Sequence, residues 1–263
     1  MAILLLTKEE QDGSLIETNV NLDFMKSHQY VLGYDFKMAP DWRLKTELYY
    51  QAIKGVPVEP EPSSFSVLNT GAGFEFPTDI HGLVNEGTGT NYGLEMTLEK
   101  FFSRGFYGLL IGSLFESKYK GSDKVERNTA FNNKYVVNLL GGKEWKLGKE
   151  KHNAFSFDMK VTTAGGRYET PIDLVDSQEA GREIRIEEKA YSEQLSPYFR
   201  IDAKFGIQIN SRKRKLNHKF YLDLQNVTNN DNIFLRRFNR QTNEINTSYN
   251  RAFFPDFLYR IEF

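Results

Sequence analysis

Apolar and polar residues alternate along most of this chain with a period of two. This is the pattern of a β-strand that has one apolar and one polar face. The last nine residues show it most plainly. Phe257, Tyr259, Ile261 and Phe263 fall on one face, and Leu258, Arg260 and Glu262 fall on the other. The alternation continues to the final residue of the sequence, which is aromatic.

Eight further segments repeat this alternation, and a partial strand at residues 2–7 brings the expected number of strands to about ten. The eight segments are residues 28–38, 42–52, 91–101, 105–119, 132–146, 154–164, 196–209 and 218–228. Their apolar faces run for about ten residues, which suits a tilted strand that crosses a bilayer, whereas most strands are about half that long. We therefore predict an all-β fold, an antiparallel transmembrane β-barrel meander that forms part of a barrel.

Alternation also assigns side chains to faces. Near the centre of the meander, the residues predicted to face lipid are Phe155, Phe157, Met159, Phe199, Ile201 and Phe205. Those predicted to face a polar interior are Asp158, Lys160, Arg200, Asp202 and Lys204. In segment 105–119 we place Tyr107, Leu109, Ile111 and Phe115 on the apolar face and Gly108 and Gly112 on the other. Leu110 and Leu114 make that second face apolar as well.

Short and long connections alternate along the chain. The short ones lie near residues 39–41, 103–105, 148–153 and 211–217, and the long ones near 53–90, 120–131, 165–195 and 229–254. A soluble β-sandwich also has one apolar and one polar face per strand, but it has no reason to sort its loops by length. A transmembrane barrel has short turns at one end and long loops at the other. Aromatic residues near strand ends, such as Tyr30, Trp42 and Trp145, also favour the barrel.

Composition excludes several other classes of protein. The longest unbroken apolar run, Ala2–Leu6, is far shorter than the roughly 20 residues of a membrane helix. The net charge of −1 argues against nucleic acid as a partner, and the basic run Arg212–Lys215 is interpreted as a solvated turn. The absence of cysteine excludes disulfides. Because the first residues lack a signal peptide, we expect that Met1 is not the natural start.

No motif for catalysis or for a cofactor is evident. The four histidines are scattered, and none is paired at metal-ligand spacing. We therefore predict no enzyme activity, no metal and no cofactor. A surface hydrolase that uses loop residues such as Asp79 and His81 is an alternative.

Five stretches resemble, in order and spacing, the C-terminal barrel portion of TonB-dependent outer-membrane receptors of the Bacteroidota type. They are Asp41-Trp-Arg-Leu-Lys-Thr-Glu-Leu-Tyr-Tyr50, Asn85-Glu-Gly-Thr-Gly-Thr-Asn-Tyr-Gly-Leu-Glu95, Asn132-Asn-Lys-Tyr135, Phe220-Tyr-Leu-Asp-Leu-Gln-Asn-Val-Thr-Asn229 and Leu258-Tyr-Arg-Ile-Glu-Phe263. The resemblance implies that residues 1–263 are the C-terminal part of a barrel of about 22 strands, without its plug domain and N-terminal strands.

The resemblance also implies a location and partners. We expect a bacterial outer-membrane protein that takes part in energy-coupled uptake of a small ligand of unknown class. Its partners would be outer-membrane lipid, the TonB motor complex (through the missing N-terminal part) and the barrel-assembly machinery. Phe257, Tyr259, Ile261 and Phe263 are the expected assembly signal. A stand-alone small barrel with a binding or structural role is the alternative.

Overall fold

The computed structural model describes residues 7–9, 15–72, 81–210 and 216–263, with side chains from residue 18 onward. The predicted strand at residues 2–7 lies outside these ranges except for Thr7. Asp79 and the basic run Arg212–Lys215 lie outside them as well.

The described residues form strands almost throughout, with one short α-helix. The strands are β1 (Thr7–Glu9), β2 (Leu15–Glu17), β3 (Lys26–Ala39), β4 (Trp42–Val58), β5 (Val84–Ser103), β6 (Phe106–Lys120), β7 (Glu126–Asn128), β8 (Tyr135–Leu147), β9 (Asn153–Ala164), β10 (Tyr168–Glu169), β11 (Glu193–Gln194), β12 (Tyr198–Asn210), β13 (Asn217–Gln225), β14 (Ile233–Asn239), β15 (Glu244–Tyr249) and β16 (Phe254–Glu262). The helix is α1 (Leu174–Ala180). No helix in the described ranges has the length and apolar character needed to span a membrane.

Ten of these strands form one antiparallel sheet. Its order is β3-β4-β5-β6-β8-β9-β12-β13-β16, and the short β7 adds to β6. Apart from β7, each strand pairs with the sheet strand before it in the chain, so the predicted all-β antiparallel meander of about ten strands is confirmed. Within the described chain, β3 and β16 are the two edges and do not pair with each other. The sheet is therefore open, as part of a barrel would be.

Strand register joins the predicted apolar faces into one surface. One row across seven strands consists of Phe36, Leu44, Leu98, Leu110, Leu139, Val161 and Ile201. Another contains Trp145, Phe155, Ile207, Phe220 and Tyr259. Side chains on this face are exposed or partly exposed even though they are large, and Leu32 and Phe257 are 74% and 76% exposed. A soluble sheet would bury such a face against a second layer.

The opposite face carries paired polar groups. Asp158 lies opposite Lys204, and Lys160 lies opposite Asp202. The Tyr107 hydroxyl donates a 2.7 Å hydrogen bond to Asp158. In β9 and β12, the two sets of residues assigned from the sequence therefore lie on separate faces.

The assignment for β6 is wrong. Leu110 pairs with Leu98 and Leu139, which lie on the apolar face, so the apolar face of β6 contains Leu110 and Leu114 rather than Tyr107, Leu109, Ile111 and Phe115. Gly108 and Gly112 lie on that apolar face too. Alternation along the sequence gives the wrong faces here because large aliphatic residues occupy both faces of the strand. Only the pairing with neighbouring strands shows which face is continuous with the rest of the apolar surface.

Short and long connections are sorted to opposite ends of the sheet, as predicted. The shortest are the two-residue turns between β3 and β4 and between β5 and β6. In the second of them, Arg104 and Gly105 both have positive φ (50° and 81°). This conformation suits a tight hairpin, and a Cβ on Gly105 would lie 2.8 Å from the Glu144 carbonyl oxygen. At the other end, the predicted loop 53–90 was too long because β4 extends to Val58 and β5 begins at Val84.

The buried core lies at the long-loop end. The predicted loop 165–195 contains β10, α1 and β11, and the last connection contains the β14–β15 hairpin. Apolar side chains buried at this end are Val56, Val58, Leu83, Tyr119, Ala190 and Leu195. The long connections therefore form a packed layer.

Candidate ligand-binding pocket at the long-loop end

Three long connections pack around Tyr119, which lies at the end of β6. Its hydroxyl donates a 2.9 Å hydrogen bond to the Ser64 carbonyl oxygen, and its ring meets Tyr191 edge to face at 5.8 Å. The Ser64 hydroxyl donates to a Glu187 carboxylate oxygen at 2.7 Å. Burial raises the pKa of Tyr119 and that of Tyr191, so both tyrosines keep neutral hydroxyls. These contacts join the connections that follow β4 and β9 to the end of β6.

Two consecutive glycines bring the chain after β9 close to its neighbours. A Cβ on Gly165 would lie 1.9 Å from the Asn133 carbonyl oxygen, and one on Gly166 would lie 1.7 Å from the Leu195 carbonyl oxygen. Only glycine permits such close backbone approach. The two residues therefore fix where the next side chain, Arg167, enters the loop layer.

The loop layer encloses a cavity of about 920 Å³. Its walls come from residues 59–72, from Ala130, from 167–170, from 185–191 and from 235–237 in β14. The volume is within the range of small-molecule pockets. Because four separate connections, those after β4, β6, β9 and β13, converge on it, this cavity is the candidate functional site.

One side of the cavity is formed by an ion-pair network around Arg236. Its guanidinium bonds Glu169 at 2.5 Å through Nε and Glu193 at 2.7 Å. Burial acts to lower the pKa of Arg236, but the two carboxylates outweigh it and the net shift is upward. Arg236 therefore stays charged and connects β14 to the β10–β11 pair.

A second group of ion pairs is centred on Glu183, whose carboxylate lies 2.7 Å from the Arg185 guanidinium and 3.3 Å from the Arg237 guanidinium. Arg185 also donates to the Thr170 carbonyl oxygen at 2.7 Å. Each of these arginines consequently has a carboxylate partner.

Arg167 differs from the other arginines that line the cavity. It donates to two backbone carbonyl oxygens, those of Ala72 (3.3 Å) and Phe234. Among the described residues, no carboxylate lies within ion-pair distance of it. Burial lowers its pKa. Glu169 acts in the opposite direction, and the nearby Arg185 and Arg237 add to the lowering. Among the described residues, Arg167 is therefore a half-buried positive charge that no carboxylate pairs with directly.

Three buried polar atoms at this site lack hydrogen-bond partners in the part of the chain that the structure describes. They are Arg167 Nε, Asn69 Nδ2 and Thr70 Oγ1, and all three side chains belong to residues that line the cavity. Asn69 is 7% exposed, and its Oδ1 is already used by the Ala130 amide at 2.9 Å. Leaving such a group unpaired costs about 1–3 kcal/mol each. Unpaired donors gathered at one cavity indicate that something else completes the site.

Sequence reasoning did not find this pocket. Its only advance signs were the length of the connections and the Gly165-Gly166 pair, because Asn69 and Arg167 are almost a hundred positions apart. The hydrolase alternative named Asp79 and His81 as candidate residues. Of these two, His81 lies in the described part of the chain, where its Nδ1 is 3.5 Å from the Thr18 hydroxyl oxygen. Within the described ranges no cluster of three metal-ligating side chains occurs.

The four residues predicted as an assembly signal lie at the sheet edge. Phe257, Tyr259 and Ile261 are on the apolar face of β16, whose only partner in the described sheet is β13. Tyr259 stacks on Phe220 at 4.8 Å and lies 2.8 Å from His218 Nδ1 through its hydroxyl. Phe263 follows the strand and is 97% exposed.

No protein-family model matches the chain, and no curated protein matches it. A solved structure with a similar fold is the ferric yersiniabactin uptake receptor FyuA from Yersinia pestis, with a TM-score of 0.53 and 14% sequence identity. The match covers 90% of this chain and 29% of that receptor. At this identity the likeness concerns the fold alone. The chain thus has the fold of part of a receptor barrel, and it spans less than a third of that receptor's length.

Proposed function

We propose that this chain is the C-terminal barrel portion of a TonB-dependent outer-membrane receptor that takes up a small ligand. The observation that carries the proposal is the continuous, exposed apolar surface of the ten-stranded sheet. Large side chains such as Leu32 and Leu139 (74% and 44% exposed) would be unfavourable in water and favourable against lipid chains. The similarity in fold to an uptake receptor supports the same conclusion.

The open edges support a larger barrel. Unpaired backbone groups along β3 and β16 cannot remain exposed within the hydrocarbon core of a membrane. We propose that strands from the N-terminal part of the receptor pair with both edges and close the barrel. A plug domain in the same N-terminal part would contact the polar face and couple transport to the TonB motor.

The loop layer supports a role in recognition. In an outer-membrane barrel the long loops lie at the outer surface, where a ligand first arrives. The cavity among these loops is enclosed by packed tyrosines and ion pairs, which hold its walls in place before a ligand binds. We propose that it contributes to the ligand-binding surface.

Membrane location and uptake are tested in the full-length receptor. Cell fractionation should place it in the outer membrane, and unboiled protein should migrate differently from boiled protein on a gel. Cells that carry the gene should remove at least one solute from the medium faster than cells that lack it, and disruption of the TonB motor should abolish the difference. A receptor that fractionates with the soluble proteins would contradict the proposal.

We further propose that Phe257, Tyr259, Ile261 and Phe263 form the signal for the barrel-assembly machinery, because an exposed apolar strand edge can dock by strand addition. Since Phe263 is 97% exposed, Phe263→Ala should hardly change the thermal stability of assembled receptor and should reduce the amount assembled. Phe24→Ala removes another exposed aromatic ring (74%) outside the strands and is the control. Normal assembly with a lower melting temperature would show that Phe263 is an anchor instead.

A further inference from the structure

We propose that the loop-layer cavity binds an oxyanion, a carboxylate or phosphate group of a small molecule, and that Arg167 is the residue that recognises it. This inference rests on the proposed uptake function and specifies the chemistry of its ligand. It is drawn from the hydrogen bonds and charges that the described residues leave incomplete.

The charge of Arg167 favours an anion. Arg167 lies in the cavity wall, and among the described residues it donates to the carbonyl oxygens of Ala72 and Phe234 and to no carboxylate. A buried charge without a counter-ion is unfavourable, and one that becomes paired on binding is a strong recognition element. A guanidinium matches the planar geometry of a carboxylate or phosphate particularly well.

The unpaired atoms at the cavity are hydrogen-bond donors. Arg167 Nε and Asn69 Nδ2 can only donate hydrogen bonds, and the Thr70 hydroxyl can also donate. A partner for all three must therefore supply acceptor oxygens. These atoms are shielded from the cavity as well as from bulk water, so the side chains must rotate before a partner in the cavity can accept their hydrogen bonds.

Among the described residues, two of the three carboxylates that line the cavity already have partners. Glu169 pairs with Arg236, and Glu187 accepts a hydrogen bond from the Ser64 hydroxyl, whereas the third lining carboxylate, Glu59, is exposed to solvent. A cationic ligand would have to compete with these bonds, whereas an anionic ligand would complete the bonding of Arg167. The same set of contacts thus favours an anion over a cation.

Binding is tested on full-length receptor in detergent micelles, by calorimetric titration at low ionic strength. The probes are inorganic phosphate and citrate, with maltose as the neutral probe. We expect saturable binding of at least one anion and no binding of maltose. Binding of phosphate alone would identify a phosphate ligand, and binding of citrate alone would identify a carboxylate ligand. Binding of both would show that the site recognises negative charge without distinguishing the two groups. Saturable binding of neither anion, or equal binding of maltose, would overturn the inference.

Variants locate the site. Arg167→Gln should weaken anion binding at least tenfold, whereas Arg182→Gln, which removes an exposed arginine from the same connection, should change it less than twofold. Thr70→Val keeps the shape of the side chain and breaks no described hydrogen bond. It should weaken binding about threefold at an unchanged melting temperature, and it remains informative if Arg167→Gln fails to fold. Binding that neither Arg167→Gln nor Thr70→Val weakens would be adventitious and would overturn the inference.

Failure of this inference can be distinguished from failure of the proposed function. A receptor that takes up its solute through the TonB motor but binds neither anion refutes the anion site alone. A protein that binds an anion through Arg167 but mediates no uptake refutes the proposed function alone.

Discussion

The apolar face of the sheet and the loop layer differ in which side chains are exposed and which are buried. On the sheet face, large apolar side chains such as Leu32 are exposed, and hydrogen bonds run between backbone groups of neighbouring strands. In the loop layer, polar side chains such as Asn132 and Asn226 are fully buried and hydrogen-bonded. The loop layer has a buried core of its own, whereas no second layer of the described chain covers the apolar face of the sheet. Under the proposed function, lipid covers that face.

The largest expected effect comes from placing a charge on the apolar face. Leu110→Arg or Ile201→Arg should cost about 2–4 kcal/mol near the bilayer midplane. Ile111→Arg is the matched control, because Ile111 is adjacent to Leu110 but on the polar face. Unfolding of the assembled receptor in denaturant measures both. Equal costs for Leu110→Arg and Ile111→Arg would contradict the corrected register of β6.

A smaller effect is expected in the loop layer, where Arg236 holds two carboxylates. Arg236→Leu leaves Glu169 and Glu193 without their partner and should destabilise the loop layer by about 2 kcal/mol, with the sheet unaffected. Arg240→Leu, at the exposed tip of the same hairpin, should have almost no effect.

Hydrogen exchange distinguishes the two regions in this variant. Faster exchange confined to the loop amides is the expected result. Faster exchange throughout β9 and β12 as well would show that the loop layer and the sheet are not separate units.

The polar face should respond more weakly. Tyr107→Phe removes the hydroxyl that donates to Asp158 at 2.7 Å and should cost about 1 kcal/mol. Tyr30→Phe is the control, because Tyr30 is 66% exposed on the apolar face. Chemical denaturation should show a lower midpoint for the first variant only. A lower midpoint for Tyr30→Phe of the same size would show that the hydroxyl of Tyr107 has no special role.

The smallest effect depends on pH. Arg127 hydrogen-bonds Asp123 in the connection after β6 and lowers the pKa of that carboxyl. The ion pair therefore stabilises the folded chain above the unfolded pKa of about 4, and its contribution is lost as pH falls through the lower folded pKa. The melting temperatures of wild type and Asp123→Asn should differ at pH 6 and converge near pH 2. A constant difference across this range would exclude the ion pair as the cause.

The strands could be predicted from the sequence because each strand has one face in each environment. Ile201 and Asp202 alternate clearly, and their strand and their placement on separate faces were predicted correctly. β6 could not be resolved by alternation, since Leu110 and Ile111 are both apolar and only the pairing with β5 and β8 places them.

The pocket could not be predicted, because packing of distant loops brings Arg167 to Asn69. The asparagines in the stretches that resemble the receptor family have a structural role. Asn132 and Asn226 hold the ends of connections through hydrogen bonds to neighbouring residues. Sequence resemblance located these positions without indicating that role.

The central claim, that one face of the sheet contacts lipid, can be tested by a cysteine scan of β12. The chain contains no cysteine, so each substitution from Phe199 to Gln208 adds a single labelling site to it. A fluorescent label is attached at each position in membrane-embedded full-length receptor and exposed to a lipid-borne or a water-soluble quencher. We predict that odd-numbered positions are quenched from lipid and even-numbered positions from water. Quenching from water at every position, without alternation, would contradict the claim.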